Sequence, residues 1–327
     1  MTVPIPECII GIDILKGLTL QLTDGRYQFG ICSLTYSTRS VIIGCIKHEV
    51  ELPPATSGVQ MKQHRIPGGQ QEVSDIVQEH LDAKVLISIT TEWNNPIWPV
   101  KKRDGSWCMP VDYRELSKVT PPLTAAVLDV VTLIEQIQRY PGIWYAVTDS
   151  ANALFSIHIV KTVQSQFALT WLGRPYTCTR LPQGYIHSPT MCHREVTEML
   201  SSAFVGSSMW LICYIDDILV QGLNQEEVAT ALQIILETLH EEGWKTDPAK
   251  VQEPAQSITF LGIIWNKGQQ KILPKAKQNI LIFALPQNKK GAQKFIGLFG
   301  FGQQHITHLS QILAPLYRVT QKKYQLQ

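Results

Sequence analysis

The chain has 327 residues, 44% of them hydrophobic and 17% charged, with a net charge of only +2. That length suits about two domains, and the apolar share supports a sizeable core and argues against wholesale disorder. The seven cysteines are scattered and none forms a Cys-x-x-Cys pair, which argues against a zinc site and a disulfide framework and points to a reducing, intracellular and cytoplasmic setting.

The N-terminus, Met1-Thr2-Val3-Pro4-Ile5-Pro6, lacks the basic start and apolar stretch of a signal peptide, and no apolar run reaches the ~18 residues of a membrane span. Residues 1–48 read as a short β segment with a turn at Asp24-Gly25. They contain no Asp-Thr-Gly or Asp-Ser-Gly, so aspartic-protease chemistry is absent. Pro53-Pro54 reads as a linker. The spacing of Val73, Ile76, Val77, Leu81 and Val85 predicts a helix over 70–86. Ile97 to Val100 and Trp107 to Leu116 read as strands, joined by a basic hairpin tip, Lys101-Lys102-Arg103-Asp104-Gly105. Such a tip is a solvated turn unless a phosphate lies near it.

Tyr145 to Asp149 is a strand ending on a carboxylate, and Asp149 taken alone reads as the N-cap of a helix in the segment that follows. Phe167 to Trp171 is a strand, and Arg180 to Tyr185 is a Pro/Gly-punctuated loop. A helix over 187–204 is expected, capped by Ser188 with Pro189 at its first position. Glu226 to Glu242 is an amphipathic helix ended by Gly243, and Ile258 to Trp265 reads as one strand. Beyond Lys275 the pattern is helical, with lysines at exposed positions.

Between these lies Trp210 to Val220, an apolar run interrupted by Asp216-Asp217. It reads as two short buried strands joined by a tight turn. Two carboxylates ~4 Å apart repel by roughly 4 kcal/mol at an effective dielectric near 20. A cation relieves that cost, and hard oxygen ligands suit Mg²⁺ or Mn²⁺. A solvated Asp-Asp turn is the plainer alternative. Charge is also lopsided along the chain. Residues 245–327 hold 12 Lys or Arg against Asp247 and Glu253, a net +10, while residues 1–244 hold 17 basic and 25 acidic residues, a net −8. A basic tail on an acidic body suits a polyanion gripped at one end, or a merely solvated lysine-rich surface.

Taken in order, Trp107…Val111-Asp112-Tyr113-Arg114-Glu115-Leu116, Val147-Thr148-Asp149, Leu181-Pro182-Gln183-Gly184 and Tyr214-Ile215-Asp216-Asp217 resemble retroviral reverse transcriptase. Phe260-Leu261-Gly262 and Ala314-Pro315-Leu316-Tyr317 extend the likeness, which covers about residues 50–327. In detail it looks most like an endogenous retrovirus of the L type, and residues 1–48 look like the tail of a retroviral protease. The resemblance implies a fragment of a Pol polyprotein, with the connection, ribonuclease H and integrase regions outside the sequence. It implies an α+β right-hand polymerase whose antiparallel palm sheet carries the Tyr-Ile-Asp-Asp hairpin. Fingers would span 49–121 and 157–187, palm 122–156 and 188–266, and thumb 267–327.

The resemblance also implies roles. Asp149, Asp216 and Asp217 would be the catalytic carboxylates and the ligands of two Mg²⁺ ions, with Mn²⁺ as a substitute. Lys102, Cys108 and Lys250 fall at positions near the incoming triphosphate, Gln183 against the nucleotide and Leu154 at the 2′ side of its sugar. Tyr214 and Ile215 would flank the primer end. The partners implied are a primed RNA or DNA template and deoxynucleoside triphosphates, and no membrane. Several positions depart from the family pattern. Cys108 stands where an Arg is usual, Leu154 where an aromatic is usual, and Gly302-Gln303 where Trp-Arg is usual; Pro110 falls inside an expected strand. A thiol makes no charge-assisted bond to a triphosphate, so the expected polymerase is impaired. The alternatives are an inactive relic that keeps the fold and nucleic-acid binding, and a marginally folded fragment without function.

Overall fold

The computed structural model describes residues 21–23, 26–28, 43–66, 68–101, 105, 107–123, 129–203, 209–299, 306 and 308–320. Most of the β segment expected in 1–48, the tip residue Lys102 and the Gly302-Gln303 pair lie outside them. No helix among the described residues is long and apolar enough to cross a membrane.

The centre is a four-stranded antiparallel sheet in the order Trp210–Tyr214, Asp217–Gly222, Trp144–Asp149, Gln252–Ala255. Alternation along its strands divides the core in two. Ala146, Ile218 and Val220 face one cluster, which includes Val196 and Leu200 of helix Ser188–Ala203 and Val228, Leu232 and Ile235 of helix Gln225–Glu241. Tyr145, Val147, Ile212, Tyr214 and Leu219 face the other, with Leu133, Ile134 and Ile137 of helix Val130–Arg139. That second cluster is completed by Ile258, Phe260, Ile263 and Trp265 of a three-stranded sheet, Ser257–Phe260, Ile263–Asn266 and Gln269–Ile272. Both faces of the central sheet are therefore covered, which is why its strands are near-continuously apolar.

Local chemistry sets the helix ends. The Asp129 side chain accepts from the N–H groups of Val131 and Thr132, and Asn224 accepts from Glu227. Gly243, at φ +88°, ends the second long helix, and a Cβ there would meet the Cys45 carbonyl at 2.1 Å. Residues 44–50 are thus part of this body. Cys45 N–H donates to the Gly243 carbonyl, Lys47 pairs with Glu242, Ile46 is buried, and Glu49–Val50 lies parallel to His158–Ile159. A second three-stranded sheet, Leu86–Ser88, Arg174–Cys178 and Leu169–Trp171, packs beside helix Gln70–Asp82. Toward the C-terminus three helices follow, Pro274–Leu281, Lys289–Phe299 and Leu309–Thr320.

Three expectations change. Trp107 to Leu116 is not one strand. Trp107–Cys108 pairs with Val100–Lys101 and Val111 bridges to Ile97 in the same register, but beyond Asp112 the chain turns into helix Arg114–Lys118, its first N–H taken by the Asp112 carboxylate at 3.1 Å. Pro110 stands opposite Trp98 in that register, where its carbonyl accepts from Trp98 N–H and the ring leaves the reciprocal donor missing, as expected. Ile258 to Trp265 is a hairpin, because Leu261 and Gly262 both take positive φ, +49° and +73°. Ser188 lies inside its helix, and its hydroxyl donates to the Pro182 carbonyl rather than capping.

Candidate active site

Asp149 ends its strand directly opposite Asp217, the first residue of the neighbouring strand. Asp216 occupies the two-residue turn between Tyr214 and Asp217, and its carbonyl accepts from Ser150 N–H at 3.3 Å. By alternation Asp149, Asp217 and Tyr214 share the face of Val147 and Leu219. The three acidic residues therefore stand at one end of the central sheet, brought there by strand register.

Asp149 is mostly buried, its side chain 13% exposed. Its Oδ2 accepts from the Lys250 ammonium at 2.6 Å, while its Oδ1 is buried and has no hydrogen-bond partner among the described residues. Lys250 ends the short helix Pro248–Lys250, initiated by the Asp247 carboxylate on Ala249 N–H. Its side chain is 48% exposed, free enough to change partner. No group of three or more His, Cys, Asp or Glu among the described residues stands together closely enough to hold a metal ion as it is. The carboxylates are adjacent in register but not assembled, with a lysine on one of them. Asp149 does not cap the helix that follows, whose N-cap is Asn152 at φ +51°.

Ile215 precedes Asp216 in the turn at φ +58°, a left-handed conformation that a β-branched residue adopts at a cost of about 1–3 kcal/mol. Its N–H donates to His193 Nδ1 at 3.3 Å. Tyr214 is buried in the second core cluster. Leu154 is half-buried on helix Ala153–Ser156, against the first.

Cys108 and Gln183 line one small cavity of about 40 Å³, together with His80, Met109, Pro110 and Phe155. Gly184, at φ +85°, keeps the Gln183 loop close to the next stretch of chain, since a Cβ there would sit 3.2 Å from the Val111 carbonyl. Cys108 is only 2% exposed and, unlike what its scattered setting in the sequence suggests, is disulfide-bonded; its sulfur lies 3.5 Å from the Val100 carbonyl oxygen. It faces the interior, and Trp107 takes the other face of this two-residue strand. Two features escape the sequence. The Lys250–Asp149 pair joins residues 101 positions apart, and His193 reads as an ordinary core residue on an amphipathic helix.

Comparison with known proteins bears on this geometry. Residues 100–265 match the family described as reverse transcriptase (RNA-dependent DNA polymerase). The chain is 30% identical over 269 residues to a Gag-Pol polyprotein of Walleye dermal sarcoma virus, covering 81% of this chain and 15% of that protein. It is 27% identical over 288 residues to a Pol polyprotein of Feline endogenous virus ECE1, covering 84% of this chain and 27% of that one. Among solved structures, a foamy viral protease-reverse transcriptase in complex with double-stranded DNA superposes with a TM-score of 0.78 at 26% identity, covering 88% of this chain and 50% of that one. The foamy viral protein in complex with RNA/DNA hybrid gives 0.77 at 26% identity, covering 85% and 37%. The chain thus spans less than a third of these two polyprotein relatives.

Proposed function

Because the chain belongs to the reverse transcriptase (RNA-dependent DNA polymerase) family, we propose that it extends a primer on an RNA or DNA template by two-metal nucleotidyl transfer, with impaired activity. The fold is the α+β right-hand polymerase fold. On this reading fingers span 49–121 and 157–187, palm 122–156 and 188–266, and thumb 267–327. The observation that carries the reading is the register pair Asp149 and Asp217, with Asp216 in the adjoining turn and the Asp149 Oδ1 buried without a partner.

Reverse transcriptases use divalent metal ions. Three carboxylates and an orphaned buried oxygen suit a hard cation, and Asp149, Asp216 and Asp217 would hold two Mg²⁺ or Mn²⁺. When bound, such ions neutralise charge on the attacking and leaving oxygens. The chain's own groups do the rest by positioning, as phosphoryl transfer demands. Lys250 would exchange the Asp149 carboxylate for a phosphate oxygen of the incoming nucleotide. Lys102 would meet the same triphosphate, Gln183 the nucleotide, and Leu154 the 2′ side of its sugar. Tyr214 and Ile215 would border the primer end. The basic segment 245–327 would hold the duplex backbone, so binding should weaken with salt.

A second reading, a relic that binds nucleic acid without catalysis, is favoured by Cys108, which is buried and supplies no cation. Primer extension on a homopolymer RNA, with Mg²⁺ and with Mn²⁺, separates the two. Slow extension abolished by Asp217→Asn supports the polymerase. Duplex binding by a folded protein that extends nothing with either ion supports the relic.

A further inference from the structure

We propose that His193 is a positioning residue, which fixes the strained turn carrying Asp216 by accepting the backbone N–H of Ile215. For its consequence this rests on the polymerase reading above; the geometry stands by itself. Strand pairing closes at Tyr214 and Asp217, so the ladder offers no partner to the N–H of the first turn residue. That residue is Ile215, at φ +58°, where a hairpin ordinarily has Gly. Such strain persists only where the surroundings over-determine it.

His193 Nδ1 takes the orphaned N–H at 3.3 Å from helix Ser188–Ala203, which packs beneath the sheet. On the other side Ser150 N–H ties the Asp216 carbonyl. The turn is thereby clamped between a buried imidazole and the residue that follows Asp149. Accepting at Nδ1 requires the neutral ring with its proton on Nε2. Burial favours that form, holding His193 below the usual histidine value. On the same helix burial raises the Cys192 thiol, and the Asp216 charge nearby adds to that. Groups that orient metal ligands from behind are commonly worth 10–100-fold in metal affinity or activity.

The test compares His193→Leu, which has no acceptor, with His193→Asn, whose Oδ1 can stand near the place of Nδ1. Three quantities are read: Mn²⁺ affinity by electron paramagnetic resonance, hydrogen exchange of the Ile215 amide, and single-nucleotide extension. The Leu variant should bind Mn²⁺ about 10–100-fold more weakly, exchange faster at Ile215 and lose kcat with KM for primer-template unchanged. The Asn variant should recover most of each. If Leu prevents folding by circular dichroism, His193→Ala takes its place in the same comparison. A folded Leu variant with unchanged Mn²⁺ affinity and slow exchange overturns the proposal, as does an Asn variant as poor as Leu. If the unaltered protein binds Mn²⁺ but extends no primer, the polymerase reading fails, and the affinity and exchange data still decide the role of His193.

Discussion

The Lys250 ammonium sits 2.6 Å from Asp149 Oδ2, so a cation already occupies one of the three carboxylates. A divalent ion bound to this carboxylate would meet the charge of the lysine at close range. Lys250→Met should raise Mn²⁺ affinity several-fold at low salt, because it removes a competing positive charge at the site. The gain should shrink as ionic strength rises, since half of the lysine is in solvent. Titration at two salt concentrations checks this, and equal affinities for both proteins would count against the competition.

Burial of Cys108 changes what an arginine there would do. The side chain is 2% exposed and disulfide-bonded. Burying an unpaired ion costs several kcal/mol even after relaxation. Cys108→Arg should therefore lower the urea midpoint further than Cys108→Ser, since both lose the disulfide and only the arginine adds a buried ion. An arginine variant of undiminished stability would mean that the side chain reaches solvent, and extension assays would then show whether it restores rate.

Leu154 is half-buried on a four-residue helix, with less bulk than an aromatic ring to place beside a sugar. Leu154→Phe should raise discrimination against ribonucleotides. The gain should be modest, since pockets reject small added groups by about 1–3 kcal/mol at most. Competition between a ribonucleotide and its deoxy counterpart measures it. Identical ratios for both proteins would remove Leu154 from the sugar site.

His80 gives a pH signature. It is 6% exposed, stands edge-on to Phe155, and burial lowers its pKa to about 4 from 6.5. The folded protein keeps it neutral, whereas the unfolded chain takes up a proton below 6.5. Its contribution is thus complete above pH 6.5 and is lost as pH falls toward 4, by about 3 kcal/mol. His80→Leu should flatten the dependence of the urea midpoint across that window. An unaltered slope between pH 7 and pH 4.5 would assign the acid sensitivity elsewhere.

Much of this was legible in the order of residues. The run Trp210 to Val220 reads as two strands and a turn because its apolar residues are unbroken except at the two acids. Asn224 and Gly243, at the ends of the second long helix, carry their structural meaning openly. Ile258 to Trp265 misleads because a leucine takes a left-handed turn position, which composition disfavours and only the tertiary setting enforces. Inward placement of Cys108 follows from which side of a two-residue strand Trp107 occupies, and so short a strand has no periodicity to read. His193 and Lys250 act on groups 22 and 101 positions away, and no local pattern reports such distances.

The stretch from Gly44 to Val50 reaches several separate parts of the molecule. Gly44 N–H donates to Ser156 Oγ, Cys45 N–H to the Gly243 carbonyl, and His48 meets the buried Glu195 carboxylate. Glu195 lies two positions beyond His193 on the same helix. A protease nick after His48 would therefore strip partners from the hydroxyl of Ser156, two residues past Leu154, and from the helix that braces the Asp216 turn. The smallest piece that keeps these ties begins no later than Gly44, so trimming at the motif-bearing region would loosen the packing behind the three carboxylates.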